Sequence, residues 1–304
     1  MNFRPPCGAL LGALLCMMPG AAAALEVFTC EPEWAALVRA LGGEQVTVRS
    51  AIGPNQDAHH LTARPSFIAA ARRADLLVCS GAGLEAGWLP LLLRQAGNGR
   101  IQVGQPGQFM AAEQVQRLEI PARIDRREGD VHAQGNPHVH LDPRRLHRIA
   151  EALGARMAQL DPEQATHYAA RTRAFTERLD ATRARLERDA EGLRGLPVVV
   201  HHTHWAYLRD WLGLERVGML EPRPGIPPTA SHLATLLDGL QTRPARLILR
   251  SSLDPTRPAD WLAARSGLPV VELPMTVAAD DDLIELFQTL VDRLLQVADT
   301  PDPQ

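Results

Sequence analysis

Residues 162–191 read PEQATHYAARTRAFTERLDATRARLERDAE, a run with no glycine and no proline after its first residue. Arg, Glu and Ala dominate it, all good helix formers, and its apolar residues recur at roughly helical spacing. The stretch predicts one helix, about 45 Å long at 1.5 Å per residue, ended by Gly192, Gly195 and Pro197. A stiff rod in mid-chain restricts hinging between the parts it joins, which a flexible linker would not.

On either side of the rod, strand-like runs alternate with helical patterns. LEVFTC (25–30) precedes EPEWAALVRALGG, QVTVRSAIG (45–53) precedes RPSFIAAARRA, and DLLVCSG (75–81) precedes GWLPLLLRQAG. The second half repeats the rhythm: PVVVHH (197–202) then WAYLRDWLG, ARLILRSS (245–252) then PADWLAARSG, PVVELP (269–274) then DDLIELFQTLVDRLLQ. Such alternation with short connections implies α/β architecture: two lobes, each a parallel sheet flanked by helices, joined by the long rigid helix. The expected division is an N-terminal lobe over 25–160, the linking helix over 161–194 and a C-terminal lobe over 195–304.

Residues 1–24 have a different character. Arg4, the apolar run GALLGALLCMM (8–18) and AAAA (21–24) have the layout of a secretory signal peptide, cut near Ala24. Its apolar core is too short to span a bilayer, and no later run reaches eighteen apolar residues. Cys16 follows Leu15 rather than a small residue, which argues against a lipoprotein attachment site. The expected product is an exported, periplasmic protein. Beyond the signal segment only Cys30 and Cys79 remain, an even number in an oxidising compartment, so a single disulfide is expected; two buried free thiols are the alternative. The net charge of -3 supplies neither a basic footprint for nucleic acid nor a polybasic membrane patch.

The eleven histidines are unevenly spread. Tight groups occur at His59–His60, at His138 and His140, and at His201, His202 and His204. The first group follows the second strand-like run and the third ends PVVVHH, so both sit at carboxyl ends of strands, where open α/β sheets bind ligands. Two facing lobes would converge these groups on one cleft, with GNPHVHLDP (135–143) between them. Neutral imidazoles suit zinc, which takes nitrogen ligands in a tetrahedron. On PVVVHH, alternation puts His202 and His201 on opposite faces. Periodicity does not separate His138 from His140. Asp142-Pro143 reads as an N-cap and first helical residue for RRLHRIAEALGARM rather than as a ligand.

Three segments carry a family resemblance. DAHHLTARPS (57–66) resembles the Asp-Pro-His-x-(aromatic)-Glu-Pro-x-Pro-Ser signature of metal-binding substrate-binding proteins of ABC importers, with Ala58, Leu61 and Thr62 departing from it. NPHVHLDP (136–143) resembles the Asp-Pro-His-x-Trp-Leu-Asp-Pro segment, with Asn136 for Asp and His140 for Trp. HTHWAYLRDWLGL (202–214) is similar to the His-x-x-(aromatic)-x-Tyr segment that ends in Gly-Leu. The resemblance covers nearly the whole chain after residue 24. It implies His59, His138 and His202 as ligands of a Zn2+ ion that is cargo, and a membrane permease as partner.

The resemblance also implies a fourth ligand, an Asp or Glu of the second lobe or water. The position where many relatives carry Asp is Thr276 here. The nearby run AADDDL offers Asp280, Asp281 and Asp282, with capping of the last helix as the competing role, and Asp282 is the favoured ligand. Glu221 is the other candidate, and its entry into the site would suit manganese, a harder ion. His132 stands in a short loop where some zinc carriers have metal-gathering histidines. His60, His140, His201 and His204 are expected behind the ligands or on the surface, and His147, His167 and His232 on helices as structural groups. A separate periplasmic zinc chaperone, a monomeric state and a zinc-buffering role are compatible with the same residues. A zinc hydrolase would need an open water position and a general base. No H-E-x-x-H occurs and no Glu adjoins the three ligand histidines, so no enzymatic activity is expected.

Overall fold

The computed structural model describes residues 24–122, 132–278 and 280–298. Four parallel strands, β1 (Leu25–Thr29), β2 (Val46–Ser50), β3 (Leu76–Cys79) and β4 (Gln108–Met110), form a sheet in the order β2-β1-β3-β4. A second parallel sheet, of β5 (Pro197–Val200), β6 (Glu215–Met219), β7 (Leu247–Ser251) and β8 (Val270–Leu273), repeats that order as β6-β5-β7-β8. β3 is buried at every residue, as a central parallel strand should be, whereas edge strand β2 alternates half-buried and exposed positions. In both sheets the order reverses beside the first strand, which opens a crevice beyond the carboxyl ends of β1 and β3 and of β5 and β7.

Helices α1 (Pro32–Gly42), α2 (Pro65–Arg73) and α3 (Leu89–Ala96) flank the first sheet. Helices α6 (Ala206–Leu212), α7 (Ala230–Gly239), α8 (Thr256–Ser266) and α9 (Leu283–Ala298) belong to the second. Between them run α4 (Pro143–Leu160) and the rod read from the sequence, α5 (Ala165–Asp189). The rod is 25 residues long and so about 37 Å. It starts later than expected because Pro162–Gln164 winds into a 3-10 turn first. Asp142 does cap α4, accepting from Arg144 N at 2.8 Å, with Pro143 in the first turn.

α5 buries one narrow stripe, Tyr168, Phe175, Thr176, Leu179 and Leu186, and leaves its charged faces to solvent. That stripe joins a single continuous core that runs from Val27 and Trp34 in the first lobe to Leu249 and Phe287 in the second. The two lobes therefore share an interior. α4 and α5 pack so closely that a Cβ on Gly154 would lie 2.1 Å from Thr172 Oγ1. The outer face of each sheet has a smaller cluster of its own, Phe28 and Leu77 on one and Val199 and Ile248 on the other. Among the described residues no helix is long and apolar enough to cross a membrane.

Cys30 and Cys79 follow and end neighbouring strands β1 and β3, and they are joined in a disulfide with Cα atoms 4.8 Å apart. The link closes a loop with a sequence separation of 49. In the chain-entropy picture such a loop contributes about 4 kcal/mol, of which strain and residual structure usually leave 2–4 kcal/mol. The Cys30→Ala/Cys79→Ala chain, free of metal, should lose about that much unfolding free energy in urea. An unchanged midpoint would show that the sheet alone holds the two strands.

Candidate metal centre

A cavity of about 230 Å3 lies between the lobes at the carboxyl ends of the strands. Five imidazoles from the three motif segments line it: His59, His138, His140, His202 and His204. Carboxylates from both lobes complete the lining: Glu31, Glu33 and Asp57 from the first, Glu221 and Asp254 from the second.

Each histidine is positioned by local structure. His59 sits in a 3-10 turn, Ala58–His60, capped by Asp57, whose carboxylate accepts from both His59 N (2.8 Å) and His59 Nδ1 (2.7 Å). A carboxylate only accepts, so Nδ1 carries the proton and Nε2 the lone pair. His132 Nε2 stands 3.2 Å from that Nε2 and donates to it. His202 is ordered the same way: Glu221 Oε2 accepts from its Nδ1 at 2.6 Å and from Gly225 N at 2.9 Å.

His138 is held by its backbone, which donates to Asn136 Oδ1 at 3.1 Å. Asn136 is in turn fastened to the second lobe: its Nδ2 donates to Thr203 O at 2.8 Å and its carbonyl accepts from Tyr207 Oη at 2.7 Å. The buried His138 Nε2 has no hydrogen-bond partner among the described residues. An orphaned buried nitrogen is costly unless something binds it, and a cation accepting its lone pair fits that need. His140 differs. Its Nε2 donates to Met275 O of the other lobe at 2.8 Å, and its buried Nδ1 has no hydrogen-bond partner among the described residues and lies 3.4 Å from Glu33 Oε1 of its own lobe.

Asp282 does not reach the cavity. Its carboxylate accepts from Ile284 N at 2.9 Å, at the start of α9, and pairs with Arg178 of α5. Asp281 accepts from Ala278 N, and Asp280 pairs with Arg39 at 3.2 Å. The run after the last strand is thus occupied with capping and ion pairs, the competing role weighed for it. Thr276 is near the cavity, but its hydroxyl donates to Glu33 Oε2 at 2.7 Å. The carboxylates that do line the second lobe's side are Glu221 and Asp254. His201 points elsewhere, buried behind the site with its Nε2 3.9 Å from Glu221 Oε1. His147, His167 and His232 bond to helix and loop partners away from the cavity, as expected.

Burial dominates the electrostatics. It pushes His138 well below the ordinary imidazole range, with His204, His140, His59 and His132 adding like-charge repulsion. Burial lowers His132 to about 4 and lowers His204 too. These rings are neutral at pH 7, the form that ligates metal. Deeper in the wall, Glu31 is pushed well above the usual carboxylate range, by burial first and then by Glu85 and Glu33. Its Oε2 accepts from Ser80 N and Ser80 Oγ, both at 3.1 Å.

The profile of the family described as "ZnuA: Zinc-uptake complex component A periplasmic" matches residues 27–297. The chain belongs to the ZnuA family. This family comprises solute-binding proteins of ABC importers, not enzymes, and its members bind divalent metal ions. The chain is 23% identical over 257 residues, 81% of its own length and 78% of the relative's, to the manganese ABC transporter substrate-binding lipoprotein PsaA of Streptococcus pneumoniae. It is 24% identical over 105 residues, 34% of its length and 31% of the relative's, to the high-affinity zinc uptake system protein ZnuA of Brucella abortus. A crystal structure of ZnuA shares the fold with a TM-score of 0.76 at 23% identity, over 90% of this chain and 99% of that one. A Cd-bound periplasmic metal binding protein from Candidatus Liberibacter asiaticus shares it at 0.71 and 16% identity, over 90% and 98%.

Within this ZnuA-family site, two cavity residues escape a reading by motif. His204 is expected behind the ligands, yet it lines the cavity; its spacing of two from His202 is the signal that would have found it. Asp254 lies in SLDP, just past β7, and only the strand-end rule points to it. Among the described residues, the group of three metal-ligand side chains with donor atoms all within 4.8 Å of one another is Cys30, Cys79 and Glu85. Among the described residues no three imidazole or carboxylate donors of the cavity lie within 4.8 Å of one another, against the ~3.3 Å edge of a tetrahedral zinc site with bonds near ~2.05 Å, so an ion bound there would have to draw them together.

Two outcomes follow from this geometry. His132 donates to the lone pair that His59 would offer an ion, so His132→Ala should tighten zinc binding about fivefold, the ~1 kcal/mol net worth of a hydrogen bond. Competitive titration reads this, and weaker binding instead would make His132 a ligand. For Glu31, the folded carboxyl keeps its proton at pH values where the unfolded chain has lost it. Stability is therefore surrendered as pH rises above about 4.5, the unperturbed carboxyl value. Glu31→Gln should match the parent's Tm near pH 4 and exceed it at pH 7.5; a gain independent of pH would refute a role for ionisation.

Proposed function

We propose that this chain captures Zn2+ in the cavity between its lobes, in the periplasm, and delivers the ion to the membrane permease of an ABC importer. The observation that carries the reading is the convergence of three imidazoles from three loops. His138 has a buried, unpartnered Nε2, while His59 and His202 have Nδ1 held by carboxylates and Nε2 left with the lone pair. A held second nitrogen is the arrangement metal-ligating histidines use. Nitrogen donors suit zinc better than manganese, which prefers oxygen. The carboxylates of Glu221 and Asp254 favour the second reading, a manganese carrier, if they enter the coordination sphere.

Capture and delivery have to be signalled without a large swing of the lobes, because α5 and the shared core tie them together. The segments that bear the histidines, after β2, before α4 and after β5, are the parts left to move. The permease would recognise their ion-bound arrangement.

The test is metal content and competition on the stripped protein offered Zn2+ and Mn2+ together. One zinc per chain, retained against manganese and lost in His138→Ala, is the expected result. Preference for manganese would move Glu221 and Asp254 into the site, and no stoichiometric metal would end the proposal.

A further inference from the structure

The imidazoles around the cavity can be sorted by what holds their second nitrogen. A ligating histidine has one nitrogen fixed by an acceptor and the other carrying a lone pair. His59 and His202 meet that condition through Asp57 and Glu221. His140 also has Nε2 held by Met275 O and a buried Nδ1 without a hydrogen-bond partner among the described residues, but the Glu33 carboxylate stands 3.4 Å from that nitrogen. His204 meets the condition. Its Nε2 lies 3.3 Å from Asp254 Oδ2, and the same oxygen accepts from Ser251 N at 2.6 Å. An acceptor-only carboxylate fixes the proton on Nε2, which leaves the lone pair on Nδ1.

The placement of His204 agrees with that chemistry. It is buried on the cavity wall, with its ring centroid 4.6 Å from that of His202 and 5.7 Å from that of His138, whose Nε2 lacks a partner. A 3-10 turn, Thr203–Trp205, compacts the His202-x-His204 segment and brings the two rings side by side. Asp254 follows β7 and His202 follows β5, so the pair straddles the crevice of the second sheet. Meanwhile the loop after β8 supplies no carboxylate, because Thr276 is bonded to Glu33 and Asp282 caps α9.

We propose that His204, oriented by Asp254, is the fourth ligand of the ion, so that the site is a set of four imidazoles, His59, His138, His202 and His204. The inference rests on the metal-capture reading above and sharpens it. Four neutral nitrogens hold zinc tetrahedrally and offer manganese none of the oxygen donors it prefers. Asp254 acts through His204 as a positioning residue and makes no bond to the ion.

The measurement is X-ray absorption at the zinc edge on the full chain loaded with one equivalent of Zn2+, which counts imidazoles without any substitution. Four imidazoles and no carboxylate oxygen is the expected count. His204→Gln should then show three, with zinc affinity lower by ~100-fold or more, above the 10–100-fold that loss of an outer partner costs, and with the Zn/Mn preference reduced. Asp254→Asn should keep four imidazoles at lower affinity, with a thermal midpoint near the parent's for the ion-free chain. Three imidazoles plus an oxygen ligand in the parent, unchanged in His204→Gln, would overturn the inference while leaving zinc capture intact. Absence of stoichiometric zinc in the parent would overturn both.

Discussion

Close contact between α4 and α5 governs what the rest of this molecule can do. At Gly154 the two helices approach to a distance no larger side chain tolerates, and the stripe on α5 feeds a core common to both lobes. Interiors packed to this density yield little and transmit displacement rather than absorb it. Buried polar bridges reinforce the joint: Tyr207 to Asn136, Asn136 to Thr203, Thr276 to Glu33 and His140 to Met275 all cross from one lobe to the other. The cavity is thus a fixed frame with histidine-bearing loops at its rim.

Within that frame a competition between desolvation and hydrogen bonding sets the charge of each group. Desolvation wins at His138 and His204, which are neutral. At Asp254 burial alone would favour the protonated acid, but hydrogen bonds from His204 and Ser251 N outweigh it and hold the carboxylate ionised. At Glu31 desolvation wins again. The result is a pocket of neutral nitrogen donors backed by negative carboxylates, which attracts a cation before any bond to it forms.

Much of the architecture was legible in the chain. Strand–helix alternation gave three strands of each parallel sheet but missed β4 and β6, and the glycine-free run 162–191 gave the rod, because period and composition report local structure directly. Motif spacing also brought His59, His138 and His202 to one cavity. What was not legible depended on tertiary choices. DDD at 280–282 contains good ligands and good caps alike, and only the direction of α9 and the reach of Arg178 decide between those uses. His204 and Asp254 are 50 residues apart and meet only because β5 and β7 are neighbours. No local pattern encodes that adjacency.

The equal strand order of the two sheets sharpens a contrast between their crevices. In the second sheet the crevice presents imidazole and carboxylate to the cavity between the lobes. In the first, the equivalent position is closed by the Cys30–Cys79 bond, with Glu85 close by. Were those sulfurs thiolates, they and Glu85 would form a three-donor set outside the histidine cavity, and zinc binds thiolate strongly. Oxidation removes that rival. With its sulfurs bonded to each other the pair offers no thiolate ligand, so the disulfide is more than a brace between strands.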